Sequence, residues 1–316
     1  MLPGIVRSLL LMAAYLVTPG PLAAQCPEPE AHQFDFWIGE WDVNNRYVVQ
    51  GAWRDIGRAE VEVFAAAGGC TIVELWEGAM GAQRIQGFSA RTWDPTDSTW
   101  RLVLNWPQAM QQPTFATLTG RFRHGRGEFF RPPADSEPRL LTRYTFSDIA
   151  SDRFRWNDDT SRDSGLTWQT RWIMEYSRRP GGSRAVRNAA EAQDRSCTGP
   201  AFDDTEDLLG RWRDSGSTML HAYRIIGGCA AMVFLEWTED DRPQELFVVI
   251  GLDSRSNEWT GWAASTRHRG FQRLTGRSAT ELSGTGSLAW TAAGAVRTLL
   301  WTAPSGQTRR FTIRRP

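Results

Sequence analysis

The strongest constraint on this chain is that its second half restates its first. Cys26, Gly39 and Trp41 are followed 171 residues later by Cys197, Gly210 and Trp212. Gly68, Gly69 and Cys70 return 159 residues on as Gly227, Gly228 and Cys229, and the same spacing pairs Glu77 with Glu236, Asp94 with Asp253 and Trp100 with Trp259. The Leu-Thr-Gly-Arg of residues 118–121 recurs at 274–277, and the Arg-Arg-Pro of 178–180 at 314–316. Matches in one order with shrinking spacing are what duplication followed by deletion leaves behind. The chain therefore reads as two like units, 25–180 and a trimmed 197–316. Residues 181–196 lack alternation and read as a linker, with a helical turn at 188–193.

Each unit is patterned for strands. Residues 71–76, 84–93, 99–106 and 167–176 alternate apolar and polar side chains, as do 245–250 and 296–301 in the second unit. The alternation puts Trp100, Leu102, Leu104 and Trp106 on one face of a strand, and Trp168, Trp172, Met174 and Tyr176 on one face of another. Turn-forming residues at 94–98 and 253–257 separate neighbouring runs. The expected fold class is all-β: two consecutive antiparallel β-barrels with about eight strands each.

The N-terminus carries one arginine, an apolar run over residues 8–17 and small residues ending at Ala24. This is the pattern of a secretory signal peptide over 1–24, and it predicts a periplasmic or secreted protein. Disulfides persist in such a compartment. Of the three pairings that Cys26, Cys70, Cys197 and Cys229 allow, the duplication favours one bridge per unit, Cys26–Cys70 and Cys197–Cys229. Metal or redox use of these cysteines finds no support, because no Cys-x-x-Cys exists and the four histidines are scattered.

Charge excludes one class of partner. The chain has 36 basic and 36 acidic residues, and every basic one is arginine. A neutral balance gives nucleic acid no excess of cations to bind. Neither a phosphate-cradling glycine loop nor a Gly-x-Ser-x-Gly elbow occurs. The acidic residues Asp158, Asp159 and 239–241 read as solvated turns. No catalytic residue, metal or cofactor is assigned.

At Gly39-Glu-Trp41 and Gly210-Arg-Trp212, each opening a barrel-like run, the chain resembles the lipocalin-like (calycin) superfamily. The stretch Phe-Asp-Phe-Trp-Ile-Gly-Glu-Trp over residues 34–41 is similar to the opening of uncharacterised secreted bacterial lipocalin-like domains. The resemblance implies that each Gly-x-Trp packs at the closed end of a barrel against a late arginine. The candidates are Arg178 or Arg179 in the first unit, and Arg314 or Arg315 in the second. It also implies a scaffold suited to apolar small molecules, which is a use the fold permits and does not prove. A second resemblance, of Ser161, Asp163, Gly165, Thr167 and Trp168 to the Asp-box of β-propellers, implies a stabilised hairpin turn.

Two functions follow as expectations. One is a binding protein holding a small apolar molecule, lined by Trp100, Leu102, Leu104, Trp106, Trp168, Trp172, Met174 and Trp259. The other is an accessory subunit docking on a periplasmic or membrane protein complex. A carboxylate-based hydrolase or isomerase is the third and weakest reading.

Overall fold

The computed structural model describes residues 26–80, 83–105, 115–179, 197, 199–253 and 256–316. The expected signal peptide, the linker with its helical turn, and Trp106 lie outside the described residues. The rest folds as two closed antiparallel barrels in succession.

Ten strands close the first barrel: β1 (Gly39–Val49), β2 (Ala52–Ala66), β3 (Thr71–Met80), β4 (Gln83–Asp94), β5 (Thr99–Asn105), β6 (Ala116–Arg123), β7 (Arg126–Arg131), β8 (Leu141–Ser147), β9 (Arg153–Ser161) and β10 (Gln169–Arg178). The second barrel follows a short helix α1 (Pro200–Glu206). Its strands are β11 (Gly210–Arg213), β12 (Met219–Ile225), β13 (Ala230–Glu239), β14 (Arg242–Asp253), β15 (Glu258–Ser265), β16 (His268–Ser278), β17 (Glu281–Gly284), β18 (Ser287–Ala293), β19 (Val296–Thr302) and β20 (Thr308–Arg314). Each described barrel thus has ten strands where alternation suggests about eight. The extra ones are short or wet on both sides. β6 buries only Leu118, and β17 only Leu282, so neither carries a readable apolar face.

One end of each barrel is closed by chain that precedes it. In the first, two 3-10 turns (Pro29–His32 and Asp35–Trp37) push Phe34 and Trp37 into the barrel. Trp41 Nε1 donates to the Trp37 carbonyl at 2.7 Å, and in the second barrel Trp212 Nε1 donates to the Leu208 carbonyl at 2.8 Å. Arg178 lies 4.2 Å over the Trp41 ring and donates to the carbonyls of Phe36, Ile38 and Ser151. Over Trp212 the guanidiniums belong to Arg297, at 4.6 Å, and Arg315, at 5.0 Å; Arg314 is exposed. The register explains this. Trp41 faces Arg178 and Arg213 faces Arg314, so Trp212 stands level with Arg315, one residue beyond the spacing of the repeated Arg-Arg-Pro.

Both disulfides, Cys26–Cys70 and Cys197–Cys229, join a segment before its barrel to the turn after the second strand. Each stays within one unit, and both fit an oxidising compartment. No described helix is long and apolar enough to cross a membrane.

The barrels share a third core. Val73, Leu75, Phe88 and Ala90, on the outside of β3 and β4, pack against Met232, Phe234, Phe247 and Val249, on the outside of β13 and β14. Adding 159 to each residue of the first set gives the second, so the contact is built from one surface used twice. The Phe88 and Phe247 rings meet 6.5 Å apart at its centre. Gly227 N donates to Gln86 Oε1 at 2.7 Å, and Gly68 N to Glu245 Oε2 at 2.9 Å, the same bond seen from each side. Such an interface is isologous, as in a two-fold dimer. It sets the closed end of one barrel beside the open end of the other, so the mouths face opposite ways.

Candidate functional site

The lower part of the first barrel is filled by rings. Phe34 contacts Trp100, Phe122, Phe129 and Phe146 at centroid distances of 4.7–5.5 Å. Trp100 and Leu102, expected to line a ligand space, are buried in this packing, while Leu104 and Met174 lie higher on the inner face. Three of these four pairs, those with Trp100, Phe122 and Phe146, are T-shaped, a geometry favourable beyond area burial alone.

Above the rings is a buried polar cluster. Glu74 shares the inner face of β3 with Ile72 and Trp76, and Ser89 stands directly opposite it on β4. The Ser89 hydroxyl donates to Glu74 Oε2, and Tyr176 donates to Oε1 at 3.2 Å. Arg91, fully enclosed, reaches Glu74 at 3.5 Å and also bonds Ser89, while its guanidinium lies 4.0 Å over the Trp37 ring. Among the described residues its Nε and Nη1 find no acceptor. Burial pulls the Arg91 guanidinium down to about 10 against the pull of Glu74, and pushes the Tyr176 phenol well above its usual range.

The second barrel serves as an internal control. At 159 residues on, Glu74, Ser89 and Arg91 become Val233, Val248 and Ile250, with Val233 facing Val248 as Glu74 faces Ser89. Ile313, two residues before Arg315, takes the place of Tyr176. All four are buried in an apolar core with Trp259, Gly261 and Ala263 on the adjacent strand. Trp259, a proposed lining residue, is core here. At the mouth of this barrel, Arg267 (2.7 Å) and Arg309 both clamp Glu239. Beneath them is a recess of about 20 Å³, room for about one water.

The mouth of the first barrel differs. Asp158 stands between Tyr144 on β8 and Trp172 on β10, on the inner face of β9 with Trp156. Tyr144 and Trp156 approach to 4.7 Å, and Trp156 and Trp172 to 5.6 Å. Trp172 Nε1 donates to Asn45 Oδ1 at 3.2 Å, which fixes that ring. Arg171 Nη2 holds Asp158 Oδ2 at 3.2 Å, but Oδ1, buried, has no partner among the described residues. Burial pushes the Asp158 carboxyl up to about 6, with Arg171 opposing and Asp159 adding to the rise.

Three sequence expectations are corrected at the mouths of the two barrels. Asp158 and Asp159 are not in a solvated turn: they lie on a strand, 7% and 2% exposed. Asp159 faces outward and is consumed by Arg143, Thr145 and Thr170. Glu239, likewise read as a turn residue, ends β13 and is the centre of the arginine clamp, its side chain 13% exposed. Trp168 is not interior. A bulge between Thr170 and Trp172 reverses the alternation, so Trp168 lies outside, under Arg143 at 4.1 Å and bonded to the Gly165 carbonyl.

The Asp-box residues form a turn at the rim. Asp163 accepts from the Thr167 amide (2.9 Å) and hydroxyl (2.6 Å), and Ser161 accepts from the Gly165 amide. Those bonds, with Thr167 foremost, hold the Asp163 carboxyl down at about 2. Gly165, at φ 86°, makes the reversal without strain.

A groove of about 640 Å³ also runs between the barrels, lined by Ile38 and Gly68 on one side and Met219 and Trp237 on the other. Sequence reasoning missed the cluster of Glu74, Ser89, Arg91 and Tyr176. The signal that could have found it is the duplication itself, since three charged or polar positions align with Val, Val and Ile. No family model matches the chain, and no curated protein matches it.

Proposed function

We propose that the chain is an extracytoplasmic, non-enzymatic binding protein of tandem lipocalin-like (calycin) type, in which the first barrel binds a small molecule and the second does not. The units span 25–180 and 197–316, joined by 181–196 and exported by the signal peptide at 1–24. The ligand has an apolar body and enters between Tyr144, Trp156 and Trp172. The observation that carries this reading is the contrast between the two interiors. A buried arginine–carboxylate pair is no better for stability than aliphatic residues of like volume, and the second barrel closes well with Val233, Val248 and Ile250. The first barrel's polar interior is therefore surplus to folding, as a site is.

The test is titration of the full chain with a panel of apolar molecules, read by tryptophan quenching. One ligand per chain is expected, and Trp172→Ala should weaken binding about tenfold, the equivalent of about 1.4 kcal/mol, while Trp301→Ala in the second barrel leaves affinity unchanged. Saturation at two ligands per chain, or binding lost equally with either variant, overturns the assignment.

A further inference from the structure

We infer that the first barrel's ligand is an organic cation, a protonated amine on an apolar body, whose ammonium sits on Asp158 Oδ1 among the rings of Tyr144, Trp156 and Trp172. This rests on the binding role proposed above and names the chemistry of the ligand. Asp158 is nine-tenths buried, yet one of its two oxygens has no hydrogen-bond donor among the described residues. A buried acceptor left open is expensive unless something occupies it. The missing partner is a donor, and its surroundings say which kind. Cross-strand placement sets Tyr144 and Trp172 on either side of the carboxylate, with Trp156 next to it along β9. Aromatic faces carry negative charge density and hold ammonium groups, and a neutral hydroxyl gains little from them.

The charged groups around the site divide. Arg171 engages the other oxygen from a bulged position with its side chain 45% exposed, and Arg131 also lowers the carboxyl's proton affinity. Both limit the cation to a compact one seated on Oδ1. Asp159, on the opposite face of β9, supplies negative potential without competing as a ligand, because Arg143, Thr145 and Thr170 already hold it. Tyr144, kept neutral by burial, stays a donor-acceptor wall. In the second barrel the position level with Asp158 is Trp301, which faces Arg309 as Asp158 faces Trp172. The copy thus has a cation where a cation would have to bind.

The experiment uses the full chain and two carbon bodies, hexyl and 2-phenylethyl, each as the amine, the matching hydrocarbon and the matching carboxylate. At pH 7.5 each amine should bind at least tenfold tighter than its hydrocarbon, and the carboxylates weakest. Asp158→Asn should erase the amine's advantage and leave the hydrocarbon's affinity in place, while Asp158→Glu keeps part of the advantage. Amine affinity should also fall as pH drops from 7 to 5, since protonating Asp158 removes its charge. Equal affinity for amine and hydrocarbon, or an amine preference that survives Asp158→Asn, overturns the cation and leaves the barrel as a binding site. Failure of all six probes to bind the wild-type chain overturns both readings.

Discussion

The second barrel prescribes a variant of the first, Glu74→Val, Ser89→Val and Arg91→Ile, made together with Tyr176→Phe, which keeps the ring and removes the hydroxyl that bonds Glu74. The side chains replaced are almost fully enclosed, Arg91 at 1% and Glu74 at 5% exposure. Arg91 leaves two buried nitrogens, Nε and Nη1, without acceptors, and each such donor atom costs about 1–3 kcal/mol. Against that, its stacking on Trp37 and Phe34 returns about 2 kcal/mol. Replacing the whole set should therefore leave stability unchanged or raise it, by up to about 4 kcal/mol, in line with other buried ion pairs exchanged for apolar side chains. Removing one partner alone is different: Glu74→Val or Arg91→Ile strands an uncompensated buried charge, costing about 3–5 kcal/mol. Urea denaturation of the wild type, the two single variants and the combined variant separates these cases. A combined variant more than about 2 kcal/mol below wild type would show that the cluster holds the barrel together, and the contrast between the two interiors would lose its meaning.

The raised Asp158 carboxyl carries a stability consequence of definite sign. Because its folded value (about 6) exceeds the ordinary 3.8, the folded state holds the proton more tightly. Its contribution is complete below pH 4 and lost as pH rises through 6. Asp158→Asn should match wild type near pH 4 and exceed it by about 2–3 kcal/mol at pH 8; an equal difference at both pH values in chemical denaturation refutes the assignment. At the closed ends, Arg178→Ala should cost about 2 kcal/mol, since three carbonyls lose their donor. Arg297→Ala should cost a similar amount, because Arg297 bonds the carbonyls of Asp207, Gly294 and Val296, whereas Arg314→Ala should be silent by thermal melting.

The duplication and the period-two runs made the architecture legible, because a buried inner face must alternate and a copied unit must copy its disulfide. Strand number was less legible: β6 and β17 bury too little to stand out. Trp168 was misplaced because a single bulged residue reverses every side chain beyond it, and no composition marks a bulge. Asp158 and Asp159 looked like a turn because adjacent carboxylates usually are one. Here cross-strand partners, invisible without pairing, make Asp159 a buried strut on Arg143, Thr145 and Thr170, while Asp158 faces inward. The cluster of Glu74, Ser89, Arg91 and Tyr176 lay hidden for the opposite reason, being polar where a core was expected.

The face formed by Phe88 and its counterpart Phe247 has one more implication. Two separate identical chains meeting there would be obliged to have identical insides, and a gain in one cavity would be imposed on the other. Joining them in a single polypeptide lifts that obligation. One half can keep the shared seam intact and serve as a permanent brace, while the other is free to exchange stability for chemistry.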